Sequence, residues 1–397
     1  MLIGIVGRPN VGKSTFFKAA TLSEVLIADY PFATIKPNHG MAYVKIEDLA
    51  PEFGRVSEPR EGFVKSGDGV EGKWRFVPFD LLDVAGLVEG ASEGKGLGNA
   101  FLSDLASADA FIHVVDMSGE TDAEGKSAEC CYPGDDLGVI ERELDKWYLG
   151  ILMKVWKTFS RTLEMQKKNF AEEVARQFSG LKVLEENVNR VVLKLGFDSE
   201  KPSIWSEEQI YKFARELRKE SKPMIIAANK MDKPFSVANL ERLKKEFDYP
   251  IVPCFAEGEL ALREADKHGL IDYVPGEKNF EVKGELSEKQ SEALENIKKI
   301  LSEFGSTGVP EVLNKVVFSL LGMVAIFPAG DKLVDSFGNV LPDCYLMPKG
   351  STALDFAFRL HSDIGKGFVK AIDIRTKRAV GKDYVLKNRD GLEIMTK

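Results

Sequence analysis

Gly7-Arg8-Pro9-Asn10-Val11-Gly12-Lys13-Ser14 is the stretch that decides the fold. It fits G-x-x-x-x-G-K-[ST], follows the apolar run 2–6 and precedes Thr15 and a segment, 15–20, that can be helical, so it reads as strand, loop, helix. Glycines in such a loop let backbone N–H groups converge on phosphate oxygens at a helix N-terminus. Lys13 then neutralises β/γ-phosphate charge, and the Ser14 hydroxyl is placed to ligate magnesium. The expected phosphate contacts are Arg8, Pro9, Asn10, Val11, Gly12, Lys13, Ser14 and Thr15. The competing reading, a glycine turn with an exposed lysine, does not explain the flanks.

A phosphate loop implies a nucleoside triphosphate and leaves base and metal to be read elsewhere. Asp83-Val84-Ala85-Gly86 follows the strand-like segment 75–82. D-x-x-G needs an aspartate at a strand end for the magnesium shell and a glycine whose N–H meets the γ-phosphate. Alone this motif carries little; its place after a buried strand gives it weight. Asn229-Lys230-Met231-Asp232 ends the apolar run 224–228. The Asp232 carboxylate offers two acceptors to the adjacent N1–H and N2–H donors of guanine, whereas adenine would leave buried groups unpaired. Asn229, Lys230 and Asp232 are therefore the expected base contacts, and GTP the expected nucleotide.

These residues resemble the translation-factor-related branch of the P-loop GTPases and, within it, the Obg-like family, especially its YchF-like members. Asp29-Tyr30-Pro31-Phe32-Ala33-Thr34-Ile35-Lys36-Pro37-Asn38 is similar to that family's first switch. The resemblance implies that Thr34 closes on magnesium and γ-phosphate, so that Ser14, Thr34 and Asp83 hold the metal and Lys13, Thr34 and Gly86 act at the reacting phosphate. Residues 86–98, with five glycines in thirteen positions, are similar to its second switch; that composition suits a segment ordered only around a γ-phosphate, the alternative being an ordinary flexible surface loop.

Departures from the pattern are informative. Leu87 stands where many GTPases place a glutamine that orients the attacking water, so catalysis must come from elsewhere. Some YchF-like proteins have an altered base motif and prefer ATP, but here N-K-M-D is intact. The fifth motif usually reads Ser-Ala; after residues 251–254 this chain has Phe255-Ala256-Glu257, so Ala256 can offer a backbone N–H to guanine O6 while the hydroxyl is missing. Asn10 matches an asparagine that ligates potassium in some related GTPases lacking the glutamine. This makes K+ a candidate cofactor beside Mg2+, the alternative being a hydrogen bond within the loop.

With 397 residues, 44% hydrophobic and 29% charged, the chain can bury sizeable cores in two or three domains, which excludes disordered and fibrous classes. No apolar run approaches the roughly 20 residues that span a bilayer, and residues 1–7 read as a buried strand rather than a signal peptide. A soluble, cytoplasmic protein without membrane contact is expected. Four cysteines, none in a C-x-x-C pair, read as free thiols. The four histidines form no catalytic set; His113 reads as a core residue.

More than a hundred residues separate Asp116 from the base motif, far more than a crossover helix needs. Residues 122–136 read as an acidic surface loop. From residue 137, apolar residues at three- and four-residue spacing predict two long antiparallel helices broken at Gly180, then a third capped at Ser206-Glu207-Glu208-Gln209. A helical insertion here is also a trait of the YchF-like family and suits a partner-contacting arm. A second capping box at Ser287-Glu288-Lys289-Gln290 opens a helix to about residue 302. Beyond it, strand-like segments 323–327, 343–347, 368–374 and 392–395 around one helix, 353–361, suggest a β-grasp fold and resemble the ubiquitin-like TGS domain, which implies RNA or ribosome contact. Residues 366–389 hold eight Lys or Arg against two Asp, a local excess of six positive charges in a chain of net charge −8. Lys377, Arg378 and Lys382 are the candidate RNA contacts, with a solvated hairpin face as the alternative. The overall charge argues against indiscriminate nucleic-acid binding, and DNA is not an expected partner.

The expected architecture is α/β: a P-loop GTPase domain with a mainly parallel sheet and helices on both faces (1–136 and, with packing helices, 222–320), a helical insertion (137–221) and a TGS domain (321–397). The expected function is that of a magnesium-dependent GTPase, a molecular switch cycling between GTP and GDP with ribosomes or RNA. Its rival is a nucleotide-gated RNA-binding adaptor whose hydrolysis is incidental.

Overall fold

The computed structural model describes residues 1–22, 37–84, 86, 90, 104–121, 131–330 and 332–397. The first part of the chain runs β1 (Leu2–Val6), α1 (Lys13–Thr21), β2 (Asn38–Glu47), β3 (Phe63–Gly67), β4 (Val70–Asp83) and β5 (Ala110–Asp116). Helices α2 (Pro133–Met153), α3 (Trp156–Gln166), α4 (Phe170–Gln177), α5 (Glu185–Leu195) and α6 (Glu207–Ser221) follow. Next come β6 (Met224–Asn229), α7 (Ser236–Glu246), β7 (Ile251–Pro253), α8 (Ala256–Lys267), the hairpin β8 (Ile271–Tyr273) and β9 (Phe280–Val282), α9 (Glu288–Phe304) and α10 (Val309–Asn314). The chain ends with β10 (Met323–Pro328), β11 (Tyr345–Pro348), α11 (Ala353–Leu360), α12 (Ser362–Lys366), β12 (Phe368–Asp373), β13 (Ala379–Val380) and β14 (Asp390–Thr396). Two compact units result, one of Met1–Gly40, Asp80–Lys267 and Leu286–Val312, the other of Met41–Phe79, His268–Glu285 and Leu313–Lys397.

In the first unit, β1 pairs in parallel with the end of β4 (Leu2↔Asp80) and with β5 (Ile3↔Ala110), and β5, β6 and β7 continue the parallel series. Strands β5 and β6 are buried along their whole length, as parallel strands covered on both faces must be, and this is why both read as unbroken apolar runs. One core joins Val6, Phe111, Val115 and Ile226 to Leu137, Ile140 and Leu144 of α2.

The insertion has a second, aromatic core: Trp156 and Trp205 lie 5.4 Å apart, and Phe170 and Phe213 each stand 5.3 Å from Trp205. Burying each such ring stabilises by roughly 2–3 kcal/mol. The expected two long helices and a third are instead five. Lys167 and Lys182 adopt left-handed backbone and Asn169 caps α4 through the Glu172 N–H, which turns the chain back so that its aromatic residues meet. Helix α2 starts at Pro133, inside the segment expected as an acidic loop, because proline suits the first helical turn and Asp135 and Asp136 favour the positive end of the helix dipole. The Ser206 and Ser287 capping boxes both form as expected, at the starts of α6 and α9.

In the second unit, β11-β10-β14-β12-β13 form a five-stranded sheet in which β10 and β14 are parallel. Helix α11 buries Phe356 against Ile326, Met347, Ala371 and Leu392, a β-grasp arrangement. Residues 41–79, which sequence reading places with the GTPase domain, belong to the same compact unit as the C-terminal segment. Arg75 of β4 is 1% exposed and donates to the carbonyls of Leu341 and Pro342 at 3.1 and 2.7 Å. A charged residue inside a strand gives no hint in sequence of a partner some 266 positions away.

Candidate nucleotide site

The quoted motif residues gather at the C-terminal ends of β1, β4, β5, β6 and β7, the edge where open parallel sheets place ligands. Gly12 adopts a left-handed φ of 95°, where a side chain would also collide with Asn229. Lys13 is 6% exposed, donates to the Arg8 carbonyl at 2.7 Å, and has its ammonium pushed down to about 8 by burial, against the attraction of Asp83. Ser14 donates to Asp83 Oδ2 at 2.9 Å, and Asn38 approaches the same oxygen at 3.4 Å. Burial raises the Asp83 pKa above the ordinary carboxylate value, and its Oδ1 has no hydrogen-bond donor among the described residues. A buried, donor-free carboxylate oxygen beside a hydroxyl fits a hard dication such as magnesium, which needs few protein ligands and keeps its remaining positions for water and phosphate. A Cβ at Gly86 would stand 2.6 Å from the Pro9 nitrogen, so glycine lets the D-x-x-G turn abut the phosphate loop. Thr34, Leu87 and most of both switch segments lie outside the described residues.

On the base side, Asn229 is clamped: its Nδ2 donates to the Val11 carbonyl at 3.0 Å and its Oδ1 accepts from the Ala256 N–H at 3.1 Å. The N–H expected to meet guanine O6 is thus engaged by Asn229, because α8 begins at Ala256 and carries that amide over the end of β6. Asp232 remains partly exposed, 3.8 Å from Lys233, and lines a cavity of about 500 Å³ with Phe255 and Gly258 of the fifth-motif region and Ile297 of α9. Lys230 pairs with Asp116 at 2.7 Å, and Asp116 also accepts from Ser118 and Thr121.

Sequence reasoning missed Asp116, although its position at the end of a buried strand was a signal. It also missed Asp136, whose carboxylate meets the Arg8 guanidinium at 2.5 Å with both side chains nearly buried. The Arg8 side chain is therefore directed to α2, and only its carbonyl serves the lysine.

In the other unit, Lys377, Arg378 and Lys382 are exposed around β13. Two members of the basic run are already paired within this unit: Arg375 forms two bonds to Glu52, and Arg389 reaches Glu52 and Glu47. Among the described residues no three His, Cys, Asp or Glu side chains form a metal cluster, and no helix is long and apolar enough to cross a membrane.

Comparison with known proteins adds to this geometry. A model described as 50S ribosome-binding GTPase matches residues 2–141, one described as Obg-like GTPase YGR210-like, G4 motif-containing domain, matches 227–331, and a TGS domain model matches 325–396. An uncharacterized GTP-binding protein of Methanocaldococcus jannaschii is 45% identical over 400 residues, covering 100% of this chain and 99% of that protein. The chain belongs to the Obg-like GTPase family. The Obg-like chain is also 30% identical over 415 residues to the ribosome-binding ATPase YchF of Bacillus subtilis, covering 98% of this chain and 96% of that protein. A crystal structure of a GTP binding protein from Pyrococcus horikoshii OT3 superposes with a TM-score of 0.79 at 39% identity, with full coverage of both chains. The Obg-like protein is thus a GTP-binding protein of the P-loop class with a C-terminal TGS domain.

Proposed function

We propose that this Obg-like protein hydrolyses GTP to GDP and phosphate as a switch that works with ribosomes or RNA in the cytoplasm. The observation that carries the hydrolytic reading is the Ser14–Asp83 pair, with the donor-free Asp83 Oδ1 close to Lys13. Ser14 and Asp83, joined by Thr34, would hold Mg2+, which supplies neutralisation of β/γ-phosphate charge. Lys13 adds its own positive charge, and backbone donors of the loop orient the phosphates for in-line attack by water. Leu87 cannot orient that water, so second-switch backbone places it, a partner accelerates the step, and K+ held at Asn10 adds charge beside the phosphates. Asn229 and Asp232 read guanine.

Ribosome contact is favoured by the name of the Bacillus subtilis relative, by the TGS match and by the exposed Lys377, Arg378 and Lys382. Turnover measured with Mg2+ and GTP, with and without ribosomes, tests the proposal: strong stimulation is the expected result. Tight RNA binding with flat turnover would instead support the nucleotide-gated adaptor.

A further inference from the structure

The fifth-motif loop of this chain lacks the hydroxyl that usually fixes it, yet the loop is tied down on all sides. Its Phe255 ring folds over Gly258, where any Cβ would collide with the ring. The loop's support comes from Gly305-Ser306-Thr307-Gly308, the turn that follows α9 some fifty residues later. Thr307, 1% exposed, accepts the Phe255 N–H at its carbonyl at 2.8 Å and donates its hydroxyl to the buried Glu259 carboxylate of α8 at 2.6 Å. Gly308 holds a left-handed φ of 82° pressed against the Pro253 carbonyl, a place open only to glycine. Its N–H is held by Ser306 Oγ at 3.1 Å.

From this turn a short series of bonds reaches the base-reading side chains. Phe255, gripped by Thr307, precedes Ala256, whose N–H holds Asn229 Oδ1; Asn229 Nδ2 holds Val11 of the phosphate loop. The Cys254 carbonyl accepts the Met231 N–H at 3.1 Å, one residue before Asp232. Helix α9, which delivers the turn, also walls the cavity onto which Asp232 opens. We propose that Thr307 is a positioning residue for guanine recognition, its hydroxyl replacing from a distant turn the one missing in the fifth motif. The inference rests on the reading of Asn229 and Asp232 as the guanine contacts. A residue that only fastened α9 to the core would affect every nucleotide alike, whereas Thr307 acts on the loop that sets the base edge.

The test is equilibrium binding of GTP and of ATP to the full chain as wild type, Thr307→Val and Thr307→Ser. The wild type should prefer GTP. In Thr307→Val, which loses a charge-assisted bond, GTP affinity should fall on the order of tenfold while ATP affinity changes less than about twofold, and Thr307→Ser should restore the preference. Equal weakening of both nucleotides, or no change, overturns the assignment of Thr307 and leaves the guanine reading standing. A wild type without preference for GTP defeats that reading itself, and this proposal with it. If Thr307→Val does not fold, hydrogen exchange of the wild type decides: GTP should slow amides 253–259 and 305–308 together and ATP should not. Equal slowing by both nucleotides refutes the proposal.

Discussion

Replacing Asp136 by asparagine tests whether the ion pair between the phosphate loop and α2 stabilises the protein or burdens it. The Asp136 carboxylate meets Arg8 at 2.5 Å, yet burial, with Asp116 and Asp135 nearby, raises its pKa from the ordinary 3.8 to about 6. Burial therefore outweighs the attraction of Arg8. Because the folded state holds this proton more tightly than the unfolded chain, stability from this group is fully present below about pH 3.8 and is lost as pH rises toward and through about 6. The gap corresponds to about 3 kcal/mol at 1.36 kcal/mol per pH unit, of which about 2 kcal/mol falls between pH 4.5 and 7.5. Asparagine resembles the protonated form and lacks that loss. The stability of Asp136→Asn relative to wild type should thus rise by about 2 kcal/mol from pH 4.5 to 7.5, with other titrations cancelling in the difference. Urea unfolding followed by tryptophan fluorescence suits the purpose, since Trp147, Trp156 and Trp205 belong to the insertion that α2 begins. A difference that stays constant with pH would refute the reasoning. Arg8→Met, which strands the carboxylate, should cost about 3–5 kcal/mol at pH 7.5 and recover on acidification.

Asp232→Asn should weaken GTP binding by up to roughly four orders of magnitude and admit xanthosine triphosphate, whose 2-carbonyl accepts from the new amide; unchanged GTP affinity in a binding assay would defeat the guanine reading. Neutralising Lys377, Arg378 and Lys382 together should lower RNA affinity about equally across sequences and reduce the log–log salt slope by roughly 0.7 per lost contact, and an unaltered slope would leave these side chains as a solvated face. Replacing sodium by potassium should raise GTP turnover in the wild type and not in Asn10→Ala; equal rates in both salts exclude the potassium role.

Legibility followed locality. The phosphate loop, the D-x-x-G turn and the base motif are contiguous in sequence, and the apolar strands before them announce their place in a parallel sheet. Both capping boxes are equally local, and so are the strands and helix of the β-grasp. What stayed hidden depends on side chains that meet only after folding. The fate of the Ala256 N–H is decided by Asn229, twenty-seven residues away. The break-up of the insertion into five helices turns on left-handed lysines, a conformation for which lysine carries no signal. The loop pattern names Arg8 as a position on the phosphates and says nothing of where its side chain points, and only the start of α2 at Pro133 brings Asp136 within reach of the guanidinium.

The paired guanidinium groups of the second unit bear on how this protein can be dissected. Removing residues 321–397 would strip Arg75 of both its carbonyl acceptors and leave the buried cation with Asp48, 3.8 Å away, in place of two hydrogen bonds, so a truncated chain would lose stability for reasons unrelated to RNA. The reverse experiment misleads in the opposite sense. Expressed alone, the C-terminal segment lacks Glu47 and Glu52, and Arg375 and Arg389 are released from their carboxylates. Such a fragment would hold polyanions through two arginines that the whole chain keeps occupied, and its affinity would overstate that of the intact protein.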